Sequence, residues 1–185
     1  VGLLVAQTGC RGVYERSDTS SREKEGMQQT TGVLWGEAPG PLVRIEEHGL
    51  LFEVDIIAGQ KTGFFIDQAQ NRHFVRALCS GRSVLNCFAY TGGFSIAALK
   101  GDASFVTSID SSAPALELLE TNLQLNAIAR NRHEAVQGNV FHVLRDYQSQ
   151  ARQFGLIVLD PPKFAENKNQ VNKAARAYSH LALQA

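Results

Sequence analysis

Cysteine is scarce in this chain. Its three residues, Cys10, Cys79 and Cys87, show neither paired nor metal-ligand spacing. A disulfide framework and a structural zinc site are therefore not expected, and free thiols without disulfides fit a reducing, cytoplasmic setting. Long apolar runs are missing too. None approaches the ~18 residues that a membrane helix needs, so no membrane association is expected. Neither sign of charge prevails, because 18 Lys and Arg residues balance 18 Asp and Glu residues. Net charge alone thus makes no case for a polyanionic partner. The distribution is less even: residues 1–68 carry six basic and ten acidic side chains, residues 69–185 twelve and eight. The second part could offer a basic face to a polyanion, although a mixed, solvated surface is the simpler reading. Disorder is excluded as a general state, because 44% of the residues are hydrophobic and can supply a core. The apolar stretch Val1 to Gly9 lacks a basic leader and is too short for a signal peptide. The first residue is not Met, which points to a fragment of a longer protein.

What is present divides into three stretches. Residues 1–31 form an N-terminal segment whose part Arg16 to Thr31 is polar and reads as an exposed connector. Residues 32–68 carry short β-prone runs at Leu42 to Ile45, Leu50 to Ile56 and Gly63 to Ile66, separated by glycine-containing turns. They predict a small antiparallel sheet. The third stretch, residues 69–185, opens within a helix over 67–78, with Phe74, Val75 and Leu78 on one face. From Ser83 onward, strand and helix alternate. Strands are predicted at 83–87, 104–110, 133–137 and 154–160, and helices at 94–100, 113–126, 140–152 and 169–185. Leu116, Leu119, Leu123 and Asn126 recur at helical spacing as a core-facing stripe. Repeated βα units imply an α/β fold, with a parallel sheet covered by helices and right-handed crossovers. Ligands of such sheets sit at the carboxyl ends of the strands.

Each predicted strand end carries usable chemistry. The first runs from Asn86 to Ser95 (NCFAYTGGFS). Its glycine pair lets a ligand approach the backbone, and the next helix offers free N–H groups. The loop is not the G-x-G-x-x-G of a dinucleotide site, which sets a dehydrogenase-type reading far behind. The second strand ends in Asp110-Ser111, 18 positions beyond Gly92. A carboxylate there can accept both hydroxyls of a ribose, or can cap the following helix. The third ends in Gly138-Asn139-Val140, where the Asn can read an adenine edge or act as a helix cap. The fourth ends in Asp160-Pro161-Pro162-Lys163-Phe164. Two prolines stiffen that loop and project Asp160 and the Pro161 carbonyl, unless the turn is rigid for its own sake.

The run Val84 to Ser95, the Asp110-Ser111 pair and the DPPKF run from Asp160 resemble class I S-adenosylmethionine-dependent methyltransferases. Ile45 to Gly49 (IEEHG), Gly59 to Gln68 (GQKTGFFIDQ) and Asn71-Arg72 narrow this further. They are similar to the ribosomal RNA large-subunit methyltransferase I family, whose members make 5-methylcytosine in 23S rRNA. The resemblance covers the chain from about Tyr14 to its end.

The resemblance implies a Rossmann-like methyltransferase sheet, represented by its first four strands, behind a small β-rich domain. Its cofactor would be S-adenosyl-L-methionine, its partner 23S ribosomal RNA. It assigns Phe88, Ala89, Tyr90, Thr91, Gly92 and Gly93 to the methionine end of the cofactor. Asp110 would hold the ribose, with Ser111 beside the adenosine and Asn139 and Val140 at the adenine. Asn139 stands where the family more often has Asp, and its amide oxygen can still meet the adenine amino group. Asp160 and Pro161 would face the sulfonium and the target base. Lys61 and Arg72 would close over the cofactor, or stand as ordinary surface charges. Cytosine C5 needs a thiolate adding at C6 before it can accept a methyl group. In that family the Cys lies beyond the Asp-Pro-Pro loop, so it is expected outside residues 1–185, with Cys87 structural. A fourth strand left at a sheet edge would need a cover, such as a second copy in a homodimer or a swapped element. Two other classes stay open at this point: methyl transfer to another RNA base such as guanine N7, and a non-catalytic RNA-binding module.

Overall fold

The computed structural model describes residues 1–185 except 19–21, 24, 61 and 166. Helix α1 spans Gly2–Thr8 and buries none of its residues. Strands β1 (Gly12–Ser17) and β2 (Thr30–Gly36) pair antiparallel, with an irregular register between Val13 and Tyr14. Strands β3 (Val43–Glu47) and β4 (Leu50–Val54) form a second hairpin. A 3-10 turn at Ile66–Gln68 leads into α2 (Ala69–Leu78). Then come β5 (Ser83–Cys87), α3 (Gly93–Lys100), β6 (Phe105–Asp110), α4 (Ala113–Leu125), β7 (His133–Gln137), α5 (Val140–Ser149), β8 (Leu156–Leu159) and α6 (Val171–Gln184).

Two compact units result, one of residues 1–45 and 53–65, the other of residues 46–52 and 66–185. In the first, the β1–β2 hairpin was hidden in the sequence. Arg16, Ser17, Thr30 and Thr31 belong to strands, not to the expected connector. Strand β2 is exposed at six of its seven residues, so no apolar alternation announces it. Arg16 donates from Nη1 to the carbonyls of Ile56 (3.2 Å) and Gly59 (2.7 Å). The strand expected at 63–66 does not form. Gly63 has φ +83°, and a Cβ there would lie 2.2 Å from the Asp55 carbonyl oxygen, so the chain turns tightly instead.

The second unit is built on a four-stranded parallel sheet in the order β7-β6-β5-β8. After three strands that advance in one direction, β8 returns to the far side of β5. This reversal makes a switch point between β5 and its neighbours, where the loops diverge. Alternation along the strands separates two faces. Leu85, Cys87 and Ile109 join Val140 and Leu144 of α5 and Leu181 of α6 in one apolar cluster. The opposite face meets α3, whose Ile96, Ala97, Ala98 and Leu99 are fully buried. Burial of a side chain the size of Ile96 or Leu99 stabilises by roughly 1.5–3 kcal/mol.

The leucine stripe of α4 points inward as its spacing predicts, with Leu119 fully buried and Leu116 and Leu123 nearly so. Asn126 ends that stripe in a specific role: its Oδ1 accepts from the Leu51 N–H (3.0 Å) and its Nδ2 donates to the Leu51 carbonyl (2.6 Å). The face expected on α2 is different. Phe74 is 64% exposed and Leu78 39%, while Arg72 is the residue α2 buries. A backbone approach explains this, because a Cβ on Gly101 would sit 2.1 Å from the Arg76 carbonyl oxygen, and α2 must lie on its Arg72–Arg76 side to reach it.

His133, at the start of β7, has a side chain only 2% exposed. Burial pushes its pKa below the ordinary 6.5, against the opposing pull of Glu120 and Glu134. The folded chain therefore binds fewer protons at this ring than the unfolded chain does. Its contribution to stability is complete above pH 6.5 and is lost as pH falls from there through the lowered value. A melting temperature that is level above pH 6.5 and drops below it is expected, and His133→Gln should flatten part of the drop. Identical acid profiles for the two proteins would show that the ring is not held neutral.

Candidate functional site

The register of the sheet brings the four loops to one edge. Cys87 lies opposite both Ile109 and Leu159, and Asp110 lies opposite Gln137. The residues that follow, Phe88, Ser111, Gly138 and Asp160, therefore leave side by side.

The loop after β5 is the most constrained of these. Phe88 (φ 59°), Tyr90 (φ 48°) and Gly92 (φ 85°) all take the left-handed conformation, which side chains normally resist. Neighbouring groups hold it there. The Ala89 N–H donates to the Ile109 carbonyl (2.9 Å), and the Tyr90 N–H donates to Oδ2 of Asp110 (2.8 Å). Asn122 of α4 donates from Nδ2 to the Thr91 carbonyl (3.2 Å). Leu119 closes the approach, since a Cβ on Gly92 would lie 2.5 Å from its Cγ. Thr91 is 3% exposed, so the loop is seated in the fold at that point.

Asp110 is not the helix cap. Ser112 caps α4, accepting from the Ala115 N–H at 3.3 Å. The Asp110 carboxylate instead accepts from Tyr90 through Oδ2 and from the Ser112 N–H through Oδ1 (2.9 Å). Each oxygen keeps a second lone pair, enough to accept a hydroxyl of a diol. Ser111 beside it is exposed. Asn139 does cap a helix: its Oδ1 accepts from the Phe141 N–H at 3.0 Å, and the next residue, Val140, lies in the apolar cluster.

Arg72 is no surface charge, being 4% exposed. It makes a two-pronged pair with Glu47, Nε to Oε1 at 2.7 Å and Nη2 to Oε2 at 2.6 Å. Its Cδ stands 3.0 Å from where a Cβ of Gly93 would be, so it braces the start of α3. Lys61 lies outside the described residues. Glu47, Asn122 and Leu119 are the supporting residues that sequence reasoning missed as such. For Glu47 the hint was an acidic pair in a hairpin otherwise suited to apolar packing.

At the fourth strand end Asp160 is exposed and Pro161 half-buried. Tyr178 of α6 ties the loop down, accepting from the Phe164 N–H and donating to the Pro162 carbonyl, both at 3.3 Å. The Phe164 ring packs edge-on to Phe88, 6.4 Å between centroids, which links the first and fourth loops. A cavity of about 500 Å³ lies elsewhere, toward the amino end of β8, lined by Leu85, Tyr147, Arg152, Phe154 and Ile157. None of the strand-end residues lines it.

A cofactor with a carboxylate and a ribose suits this donor set. Among the described residues no side chain caps α3, so its first turn faces the loop with backbone N–H groups, and Asp110 stands one strand away. Among the described residues, no cluster of His, Cys, Asp and Glu could hold a metal ion.

A family model described as S-adenosylmethionine-dependent methyltransferase matches residues 28–180. The chain belongs to that family. S-adenosylmethionine is the cofactor of this methyltransferase family. Curated relatives carry the name "Ribosomal RNA large subunit methyltransferase I", which agrees with the resemblance in the motifs. The protein of Erwinia tasmaniensis is 45% identical over 173 residues, and that of Vibrio vulnificus 47% over 175. In each case 94% of this chain is matched, but the chain spans only 44% of the relative's length. Among solved structures, a Streptococcus mutans protein assigned as a SAM-dependent methyltransferase is 26% identical, with TM-score 0.69 over 80% of this chain and 41% of that one. A methyltransferase structure complexed with SAH is 29% identical, with TM-score 0.71 over 82% and 42%. The tRNA m1G37 methyltransferase of M. jannaschii, 24% identical with TM-score 0.68 over 94% and 48%, shares the fold.

The two buried thiols, Cys79 and Cys87, are not poised for attack. Cys87 is fully buried and desolvation pushes its pKa up to about 12. Cys79 is also fully buried, is raised by the same cause, and donates its S–H to the Val75 carbonyl.

Two outcomes follow. Gly92→Ala should destabilise the protein by roughly 2–4 kcal/mol, from the left-handed backbone and the collision with Leu119; an unchanged urea midpoint would show that Leu119 is not pressed on the loop. In the native protein a thiol reagent should label Cys10 but neither Cys79 nor Cys87 until denaturant is added. Rapid native labelling of Cys87 would contradict its burial.

Proposed function

We propose that this chain is the cofactor-binding part of a cytosine-5 methyltransferase acting on 23S ribosomal RNA in the cytoplasm. The observation that carries this is the Asp110 carboxylate, anchored by the Tyr90 and Ser112 N–H groups beneath the strained loop Phe88–Gly93. It is a ribose acceptor beside a backbone cradle, at the switch point of a parallel sheet. S-adenosylmethionine supplies an electrophilic methyl group there. The backbone of residues 88–93 and the N-terminus of α3 hold its amino-acid end. Asp110 holds the ribose hydroxyls, and Asn139 and Val140 border the adenine. Arg72 acts through Gly93 by bracing it rather than by touching the cofactor. Asp160 and the Pro161 carbonyl receive the target base, in a loop that Tyr178 keeps rigid.

The relatives' name supports ribosomal RNA as substrate, and the family resemblance of the motifs supports cytosine C5 as the target. That chemistry needs a thiolate. Burial suits neither Cys79 nor Cys87 to supply it. The resemblance places the nucleophile on a Cys beyond the Asp-Pro-Pro loop, outside residues 1–185.

Asp110→Ala should weaken S-adenosylhomocysteine binding by about 1.5–3 kcal/mol, roughly ten- to a hundredfold, because hydrogen bonds to a charged group are lost. Calorimetric titration with equal affinity in the variant would remove Asp110 from the site. Residues 1–185 should bind the cofactor yet transfer no methyl group to cytosine in rRNA, and a longer chain supplying the Cys should do so. Mass spectrometry of large-subunit rRNA nucleosides from a deletion strain should show loss of a 5-methylcytosine. An unchanged level would overturn the assignment of base or substrate.

A further inference from the structure

A single line of buried polar side chains crosses the second unit through five elements. Nδ2 of Asn86 (β5) donates to Oγ of Ser95 (α3) at 2.8 Å. Ser95 Oγ lies 2.6 Å from Ser108 Oγ (β6), and Ser108 Oγ lies 2.8 Å from Nε2 of His133 (β7). Nδ1 of His133 is 3.2 Å from Oε1 of Glu120 (α4). Asn86, Ser95 and Ser108 are at most 1% exposed, whereas the Glu120 side chain is 31% exposed. A core that needed only to pack would be apolar at these positions.

The two ends dictate the direction of every bond between them. The Asn86 amide nitrogen can only donate, so the Ser95 oxygen accepts and its O–H passes on to Ser108. The Ser108 O–H then goes to Nε2, which leaves the ring proton on Nδ1. The Glu120 carboxylate can only accept, and Nδ1–H donates its hydrogen bond to it. Glu120 thus selects the tautomer of His133, and His133 selects which way Asn86 is turned. Asn86 Oδ1 remains buried with no hydrogen-bond partner among the described residues, a cost borne for that orientation. A second proton on the ring would reverse the line: Nε2 would donate to Ser108, and Ser95 would donate to Asn86, whose amide would have to turn over. Two carboxylates act on the ring, Glu120 from α4 and Glu134 from its own strand. The group facing it from β6 is the Ser108 hydroxyl, with Ser95 of α3 one hydrogen bond further on.

Asn86 and Ser95 stand two residues outside the loop Phe88–Gly93, one on each side. Their hydrogen bond closes the loop at its base, under residues held in left-handed conformations.

We propose that His133 and Glu120 are positioning residues for this loop, holding its base through Ser108 and Ser95 so that it is set to bind the cofactor. The effect on cofactor affinity rests on the cofactor site proposed above, while the coupling to the loop does not. The test uses the whole 185-residue chain, with nuclear magnetic resonance of the Tyr90, Gly92 and Gly93 amides and calorimetry with S-adenosylhomocysteine. On acidification, the loop amides should shift along the titration curve of the His133 ring, and Ser108→Ala should abolish that shared curve. At pH about 7.5, Ser108→Ala and His133→Leu should weaken S-adenosylhomocysteine binding at least ~fivefold. His133→Gln should stay within about twofold of the parent, because its amide oxygen can accept from Ser108 while its NH₂ group donates to Glu120. A merely structural role would not produce that rescue. If Ser108→Ala does not fold, Glu120→Ala at the half-exposed end should move the same amides. Loop amides indifferent to His133 and to both variants would overturn the proposal, as would a Ser108→Ala protein that binds like the parent. A parent chain that binds no S-adenosylhomocysteine would overturn the cofactor reading instead, and the loop amides would still decide the coupling.

Discussion

Strand β5 is hydrogen-bonded on both sides, to β6 and to β8, and that double pairing sets everything at the carboxyl edge. It puts Cys87 level with Ile109 and Leu159, so the loops that begin with Phe88, Ser111 and Asp160 emerge together. It also turns Asn86 toward α3 and Leu85 and Cys87 toward α5 and α6. A one-residue slip would exchange the two faces, placing Asn86 in the apolar cluster and Cys87 among the polar side chains. Burial on both faces makes such a slip costly, which is why strained loops can be built on this strand.

The strain is concentrated where a ligand would need backbone close at hand. Three left-handed residues within five positions persist because Asp110, Asn122 and Leu119 each hold a different point of the loop. The same carboxylate that anchors Tyr90 is the group proposed to meet the ribose. A single side chain therefore serves both the shape of the loop and its ligand. Arg72 and Glu47 add a second brace at Gly93, and Tyr178 a third at the proline loop. The loop proposed to cradle the cofactor is thus held in part by residues, Arg72, Glu47 and Leu119 among them, that the proposal does not bring to the cofactor.

Chemistry at the methyl group is a separate matter. A thiolate nucleophile must be exposed or placed near positive charge. Cys87 has neither condition: it faces Leu85, Ile109 and Leu144 in the apolar cluster, and its proton is held tightly there. Its position beside the loop Phe88–Gly93 in sequence says nothing about reactivity, because strand alternation turns it away.

Much of the second unit could be read from the residues in order. Apolar runs of strand length, leucines at helical spacing and the glycine and proline loops between them are local features, and they marked β5 to β8 and α3 to α6 to within a few residues. The motifs at the strand ends were legible as runs of residues for the same reason, although the partners that hold them, such as Tyr90 for Asp110, were not. The β1–β2 hairpin was not legible, because β2 lies at the surface and β1 is half-buried along its whole length, so neither carries an alternating pattern. Nor was the burial of Arg72, which depends on Glu47, 25 residues away in the chain. Only the tertiary structure could show that β8 returns beside β5, that Asp110 anchors Tyr90 while Ser112 caps the helix, and that Asn86, Ser95, Ser108, His133 and Glu120 form one line. The physical reason is common to these cases. Strand order and hydrogen-bond direction are settled by pairs far apart in sequence, and a local pattern can name such residues without saying which of them will meet.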